Sequence, residues 1–447
     1  MSKVRVRILF AVLTIVLLGV AQNLPAQFRG PRDPGVRGGA AGAGGMLAGL
    51  TADEQEMFSV GRDDFNEAEE VGDGLGPRFN FNGCGGCHSQ PDIGGTSPAQ
   101  NPLFTVVGAL GFGARNRIPS FITPNGPIRE ARFQFNSDGS RDGGVHALFV
   151  IAGHPAAPGC NIVQEDFERQ VRNNNIIFRI PTPTFGAGLI EQITDSSILA
   201  NLSSNSTTKA NFGISGRVNR NGNDGTVTRF GWKAQNKSLL IFSAEAYNVE
   251  MGITNEAFQQ ERDETPSCQF ATVPNDVTPS VRAIPAIINF ANFQRFLAPP
   301  TPVASFNGAS SFSIARGRQR FTDVGCALCH TPTLTTPVKT TVAALSNKNA
   351  NLFSDLALHQ MGPGLADDIL QGAARGDEFR TAPLWGLGQR IFFLHDGRTT
   401  DLVQAILAHQ SFGNSKFGSS EANKVIDNFK NLRDDDTQDL LNFLRSL

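Results

Sequence analysis

Cysteine and histidine are scarce in this chain of 447 residues, with six and seven copies respectively. An excess of charge of either sign is also lacking, because the formal net charge at pH 7 is only −2. Such a mild, unclustered charge argues against a nucleic-acid partner, which a basic patch would attract. Beyond the N-terminus there is no apolar run long enough for a transmembrane helix. We therefore expect no transmembrane segment in the mature chain.

The few cysteines are not scattered, since four of them form two Cys-x-x-Cys-His motifs, at 84–88 and 326–330. This motif is the attachment signal for haem c. Two thiols at this spacing reach the vinyl groups of one porphyrin, and the adjacent histidine is the proximal iron ligand. The alternatives are redox CxxC motifs or half-sites for zinc, but redox motifs need no following histidine and the βαβ pattern around them is missing. The sequence therefore predicts two covalently bound haem c groups, held by Cys84, Cys87, His88, Cys326, Cys329 and His330.

The N-terminus has the pattern of a secretory signal peptide over residues 1–26. Basic residues precede the apolar run from Ile8 to Val20, and Ala21 and Ala26 offer cleavage points. An uncleaved signal anchor is the alternative, but the run is short for a bilayer. We predict a periplasmic or otherwise exported protein.

The predicted export affects the expected state of Cys160 and Cys268, the two cysteines outside the haem motifs. In an oxidising compartment two such thiols are expected to pair, so the sequence predicts a disulfide between them. Two separately buried thiols are the alternative.

Composition and spacing divide the remaining chain. Residues 27–49 are rich in Gly, Ala and Pro and have almost no large apolar side chains, which predicts a disordered linker. The pattern Gly-Arg-x-x-Phe at 61–65 precedes the first haem motif and recurs at 317–321 before the second, which suggests two copies of one unit. We expect an N-terminal haem domain over 50–310, with an insertion at about 100–228, and a C-terminal haem domain over 311–447.

Local patterns predict several elements. Val145 to Ala152 is typical of a strand, whereas Asn201 to Asn223 is typical of a loop. Asp434 to Thr437 would cap a helix whose apolar face includes Leu440 and Leu444. Leu402, Ile406 and His409 have the spacing of one helical face, so His409 is a candidate second ligand for an iron in the same domain.

Four stretches together resemble the bacterial di-haem cytochrome c peroxidases, and more closely the di-haem oxidoreductases once labelled thiol oxidoreductases. Their order and spacing around the two haem motifs carry the resemblance, which spans residues 50 to 447 and is weak in the middle insertion. The stretches are 229–235 leading to 250–252, 325–330, 381–385 leading to 394–398, and the continuation to Ala405 and His409.

The resemblance implies a mainly α fold of two cytochrome c-like haem domains, with long loops and a small β-containing insertion. It implies a peroxidase-like oxidoreductase in which electrons from a small soluble cytochrome or copper protein enter at the His330 haem. They would pass to the His88 haem, where hydrogen peroxide or a related oxidant is reduced. His409 stands where the peroxidases carry a methionine ligand, which predicts a bis-histidine second haem of lower potential.

Two further roles come from the same resemblance. Trp232 corresponds to the tryptophan between the haems, and Glu250 to the acid that moves a proton during peroxide cleavage. Simple core packing for Trp232 and a solvated helix-end carboxylate for Glu250 are the alternatives. A calcium ion is a further candidate cofactor.

The chain also departs from the peroxidases. Apolar residues replace a glutamine that they often keep before the acid, and no histidine follows His88 until His146. The first haem is therefore either permanently open or reached by His146 or His154. His359 and His395 are interpreted as hydrogen-bond partners rather than ligands. A pure electron carrier and an oxidase that modifies another protein remain alternative functions.

Overall fold

The computed structural model of the protein describes residues 30–105, 115–272 and 284–447. The predicted signal peptide at 1–26 lies outside these residues. Helices predominate in the described parts, as predicted, and each of them is too short or too polar to span a bilayer. The helices are α1 (Ala52–Asn66), α2 (Cys84–Cys87), α3 (Phe167–Arg172), α4 (Ala187–Gln192), α5 (Asp195–Ser203), α6 (Ser206–Phe212), α7 (Leu239–Met251), α8 (Ala286–Phe296), α9 (Ser311–Asp323), α10 (Leu402–Leu407), α11 (Asn423–Lys430) and α12 (Asp434–Ser446).

The strands form small antiparallel sheets. They are β1 (Arg78–Phe79), β2 (Glu130–Phe133), β3 (Val145–His146), β4 (Phe149–Val150), β5 (Ile176–Arg179), β6 (Leu334–Thr335), β7 (Asn349–Ala350), β8 (Leu358–Gln360) and β9 (Glu378–Arg380). The largest sheet has the order β3-β2-β5, and the pairs β1-β4, β6-β7 and β8-β9 form the others. Strands β2 to β5 fall within the predicted insertion, and β4 joins it to β1, just before the first haem motif.

The two copies of the Gly-Arg-x-x-Phe pattern lie in two helix pairs that pack in the same way, α1 with α8 and α9 with α12. Gly61 on α1 faces α8 so closely that a Cβ atom would lie 2.2 Å from the carbonyl oxygen of Asn289. A Cβ on Gly317 of α9 would lie 1.9 Å from the carbonyl oxygen of Asp439 on α12. Only glycine permits two helix backbones to approach this closely.

A buried phenylalanine follows each of these glycines by one turn. The ring of Phe65 lies 4.9 Å from that of Phe293, and the ring of Phe321 lies 5.5 Å from that of Phe443. Burying a phenylalanine stabilises a fold by about 1.5 to 3 kcal/mol. Each helix pair thus anchors an apolar core beside one haem motif.

The predicted disorder of residues 27–49 is wrong for residues 30–49. These residues form an extended segment with partners on both helix pairs. The backbone N–H of Leu47 donates to the carbonyl of Phe296 on α8 (2.7 Å), and that of Arg37 to the Gly388 carbonyl (2.7 Å). Asp33 forms an ion pair with Arg445 on α12 (2.6 Å). Leu47 also packs against the apolar core, so polar contacts and a few apolar side chains together order this segment.

Three local predictions need correction. The strand expected over 145–152 is broken into β3 and β4, which belong to different sheets. The loop expected over 201–223 begins with the end of α5 and contains α6, because Asn205 in the left-handed conformation lets one helix follow the other. At α12 the three aspartates lie within the first turn and Arg433 takes the cap position, while Leu440 and Leu444 are buried as predicted.

The predicted disulfide between Cys160 and Cys268 is confirmed. It closes a loop of 108 residues in sequence separation, and both cysteines lie in the core beside the first haem motif. In a chain-entropy estimate a loop of this length contributes about 4 to 5 kcal/mol to stability. The bond therefore fastens the insertion to the segment that follows α7.

Candidate functional site

The first haem motif forms one wall of a large cavity. Helix α2 contains both thiols, and the backbone N–H of His88 donates to the Cys84 carbonyl (3.0 Å), which turns the histidine off the helix end. Phe65 packs edge-on against the His88 ring, with ring centroids 5.9 Å apart. The cavity is lined by Cys84, Cys87, His88, Trp232 and Glu250 among others.

The second haem motif borders a separate cavity, lined by Cys326, Cys329, His330 and His409 among others. The thiols of the two motifs line different cavities, so they do not converge on a single four-cysteine zinc site. The structure thus keeps two separate sites.

His409 lies just beyond α10, which ends at Leu407. The spacing of Leu402, Ile406 and His409 had predicted a helix that continues through the histidine. Its ring still folds back onto the helix, and Nδ1 donates to the Ala405 carbonyl (2.8 Å). The side chain lines the second cavity together with His330. His359 and His395 also line this cavity, so three histidines besides His330 border it.

Three histidines share the ring geometry of a metal ligand. Nδ1 of His88 donates to the Gly95 carbonyl (3.0 Å), and Nδ1 of His330 to the Phe353 carbonyl (3.0 Å), as in His409. A carbonyl oxygen only accepts, so this bond keeps the hydrogen on Nδ1 and the lone pair on Nε2. Burial also lowers the pKa of these rings, that of His330 to about 4, which favours the neutral form that binds metals.

His359 and His146 differ from this pattern. His359 contacts Asp355 through Nε2 (2.9 Å) and Glu421 through Nδ1 (2.7 Å), so carboxylates occupy both nitrogens. His146 lies between two carboxylates in the same way, on Asp142 and Glu165. Of the described residues that line the first cavity, none is a histidine other than His88, so neither His146 nor His154 reaches that iron site here.

Trp232 lines both cavities. Its indole N–H donates to the Ile180 carbonyl (2.9 Å), and its own carbonyl accepts from the Arg380 backbone N–H (2.9 Å). The ring stands edge-on to His395, with centroids 6.3 Å apart, and His395 stacks on Phe379 at 4.3 Å. Trp232 is therefore more than core packing, because it forms part of the wall of each site.

Glu250 lies at the end of α7 and faces the first cavity rather than bulk solvent. The side-chain amide of Asn80 donates to its carboxyl group (2.6 Å). Burial, followed by the charge and hydrogen bond of Glu130, raises its pKa. A carboxyl group that keeps its proton near neutral pH is suited to acid catalysis.

Sequence reasoning missed two arginines of the second cavity, Arg380 and Arg390. Both are buried, and burial lowers the pKa of each guanidinium to about 10. Within the described parts of the chain, neither forms an ion pair with a carboxylate. Buried cations require an anionic partner, and the two propionate groups of a haem would supply one to each. These residues therefore fit a haem in the second cavity.

A buried ion network beside Trp232 was also missed. Asp367 contacts Arg179, which lines the first cavity, at 2.6 Å, and Lys233 at 3.0 Å. The Lys233 ammonium lies 4.1 Å from the centre of the Phe379 ring, which lines the second cavity. The three charged residues come from distant parts of the sequence, so no local pattern could have predicted the network.

The described side chains do not form a recognisable site for the predicted calcium ion. Over residues 30–105, 115–272 and 284–447, no group of three or more His, Cys, Asp or Glu side chains is arranged to hold a metal ion. The calcium ion stays a prediction.

Comparison with known proteins places these sites in context. The sequence model of the family described as "Di-haem oxidoreductase, putative peroxidase" matches residues 155–447. No curated protein is significantly similar to the chain.

Three solved structures are distantly similar. Hydrazine synthase of Kuenenia stuttgartiensis matches 37% of this chain and 56% of its own, at 18% identity and a TM-score of 0.24. The diheme peroxidase BthA from Burkholderia thailandensis matches 49% of this chain and 65% of its own, at 17% identity and a TM-score of 0.31. A MauG-like protein associated with microbial copper homeostasis matches 57% of this chain and 89% of its own, at 14% identity and a TM-score of 0.28. The chain thus spans between half and two thirds of the first two of these structures.

Proposed function

Because this chain belongs to the di-haem oxidoreductase family, we propose that it is an exported enzyme that binds two haem c groups covalently and reduces hydrogen peroxide. One structural observation is the main support for this proposal. Each of two cavities contains one complete haem motif, but a second ligand-type histidine lines only the second cavity. An iron in the second cavity would thus have two candidate histidine ligands, whereas an iron in the first cavity would have one and would keep a position for peroxide.

The cofactor-binding residues follow from this arrangement. Cys84 and Cys87 would form the thioether bonds of the first haem, and His88 would be its proximal ligand. Cys326 and Cys329 would attach the second haem, between His330 and His409. When bound, the haems supply the redox chemistry, and we expect electrons to enter at the His330 site and peroxide to be reduced at the His88 site.

The catalytic roles belong to Glu250 and Trp232. Reduction of peroxide follows H2O2 + 2 e⁻ + 2 H⁺ → 2 H2O, so the first cavity must deliver protons as well as electrons. Glu250 holds a proton in the cavity that contains His88. Trp232 is the aromatic side chain shared by the two cavity walls and would assist electron transfer between them. The electron donor would be a small soluble cytochrome or copper protein.

The protein purified from its host with its haems attached should contain two covalent haems per chain. Its half-reduced form should consume peroxide, while the ferric resting form serves as the unreduced control. A pyridine haemochrome assay with intact mass counts the haems, and stopped-flow absorbance follows peroxide. One haem or none would refute the cofactor assignment. Two haems without peroxide consumption would favour the electron carrier, and a stable complex with a protein substrate would favour the protein-modifying oxidase.

Replacing His409 with alanine should convert the second haem from low spin to high spin and shift its reduction potential. The reason is that the variant removes one of the two axial imidazoles while leaving His330 in place. Electron paramagnetic resonance and a spectroelectrochemical titration would measure the change. The matched control is His359→Asn, which alters a histidine of the same cavity whose ring nitrogens both contact carboxylates. A low-spin signal that persists in His409→Ala would exclude His409 as the ligand.

A further inference from the structure

A second glutamate lines the first cavity together with Glu250. Glu130 lies on β2, and the two carboxyl groups interact electrostatically. Because two neighbouring carboxylates repel each other, the ionised form of one favours the protonated form of the other.

The surrounding residues distinguish the two carboxyl groups. Arg132, two positions along the same strand face, forms an ion pair with Glu130 and donates to the Gly143 carbonyl (2.8 Å). Arg179 is the direct cross-strand neighbour of Glu130 on β5. The cationic face of the sheet thus stabilises the ionised form of Glu130.

Asn80 orients the other carboxyl group. Its Oδ1 accepts the Leu148 backbone N–H (2.8 Å), so its Nδ2 must donate to Glu250 (2.6 Å). The backbone N–H of Asn80 also donates to the Glu250 carbonyl (2.6 Å). One carboxyl oxygen of Glu250 is therefore taken by Asn80.

We propose that Glu130 and Glu250 act as one proton-holding unit, in which Arg132 keeps Glu130 ionised and Glu130 keeps the proton on Glu250. Glu130 is thus a positioning residue that acts through Glu250. The catalytic purpose of this unit rests on the proposed peroxide reduction. The experiment that tests the unit does not require that reaction. Each turnover consumes two protons and two electrons, so the unit delivers its proton to the peroxide oxygens twice and is reprotonated from solvent each time, while the donor protein supplies the two electrons.

The electrostatics of the cavity support this division. Burial raises the pKa of Glu250, and the negative charge of Glu130 raises it further. Burial also opposes ionisation of Glu130, but the charges of Arg132 and Arg179 outweigh it, so the pKa of Glu130 is lowered. The other ionisable groups around the pair are Arg262 from the segment after α7, Glu245 on α7, and Cys84, Cys87 and His88 across the cavity.

The test is infrared difference spectroscopy of the haem-loaded protein across a pH series, which follows the C=O stretch of protonated carboxylic acid. The parent should show a band near neutral pH that Glu250→Gln removes. In Glu130→Gln the midpoint at which this band is lost should fall by about one pH unit or more, because a like charge next to Glu250 is gone. Arg132→Gln should move the midpoint upward, because the pair then lacks its cation.

The matched control is Glu378→Gln, which removes another buried glutamate that is paired with an arginine (Arg217, 2.6 Å) and that lines neither cavity. Its midpoint should equal that of the parent. Opposite shifts in the two cavity variants support the proposal, and an unmoved midpoint in either folded variant overturns it. Failure of the parent to reduce peroxide would instead refute the proposed function, because the infrared band does not depend on turnover.

Discussion

Peroxide turnover by the half-reduced Glu250→Gln variant should fall about a hundred- to ten-thousand-fold, the contribution typical of a positioned acid-base group. The amide has nearly the shape of the carboxylic acid. Its oxygen can still accept from Asn80, so that hydrogen bond is kept while the transferable proton is lost. The spectra of both haems should therefore persist, and stopped-flow kinetics with peroxide would measure the loss.

Glu245→Gln is the control for this experiment. Glu245 belongs to the same helix and hydrogen-bonds Asn236, but it does not line the first cavity. Its turnover should stay close to that of the parent. Turnover of Glu250→Gln within a few-fold of the parent would remove Glu250 from the mechanism, and a fall with both variants would point to a general effect on α7.

The site residues predicted from the sequence all lie within a local motif or within a stretch that resembles the family. The haem motifs are contiguous, and His409, Trp232 and Glu250 each stand at a set distance from a recognisable stretch. The geometry adds the hydrogen-bond pattern that separates His88, His330 and His409 from His359 and His146. That pattern depends on which backbone carbonyl or carboxylate lies beside each ring, which spacing does not reveal.

The missed residues depend on contacts between distant parts of the chain. Glu130 meets Glu250 only because β2 folds over the first cavity, and it stands in a short strand with no motif of its own. A role for Arg380 can be inferred only from the structure, in which its side chain is buried and has no carboxylate partner among the described residues. The composition of residues 30–49 led to a wrong prediction of disorder, because this segment has few of the large apolar side chains that usually order a segment. Their order comes from partners such as Arg445, 412 positions away from Asp33 in sequence.

Asp33 connects this segment to the helices of the second haem site. Its carboxylate accepts two hydrogen bonds from the Arg445 guanidinium (2.7 and 2.6 Å) and one from the Leu402 backbone N–H (2.8 Å), at the start of α10. The Arg445 side chain is fully buried, with 0% of its surface exposed, and lies 5.0 Å from the centre of the Phe393 ring. This one carboxylate therefore neutralises a buried cation and satisfies a helix N-terminus before His409.

Replacing Asp33 with alanine should lower the free energy of unfolding by about 3 to 5 kcal/mol, because it leaves the Arg445 charge buried without a partner. Denaturant titration of the haem-loaded protein, followed by circular dichroism, would measure the change. Asp224→Ala is the control, since Asp224 pairs with Lys237 at the surface and such pairs contribute at most about 1 kcal/mol. A loss in Asp33→Ala no larger than in this control would show that the segment does not stabilise the fold.

The pH dependence of the same variant provides a second check. Burial raises the pKa of Asp33, but the hydrogen bond and charge of Arg445 outweigh it, so the folded-state pKa lies below the ordinary value. The contribution of Asp33 is therefore fully present above the unfolded pKa of about 3.9 and is lost as the pH falls through the lower folded value. The stability difference between the parent and Asp33→Ala should be constant near neutrality and shrink in acid. A difference that persists at a pH well below both values would indicate that the variant acts through lost packing rather than through the lost charge.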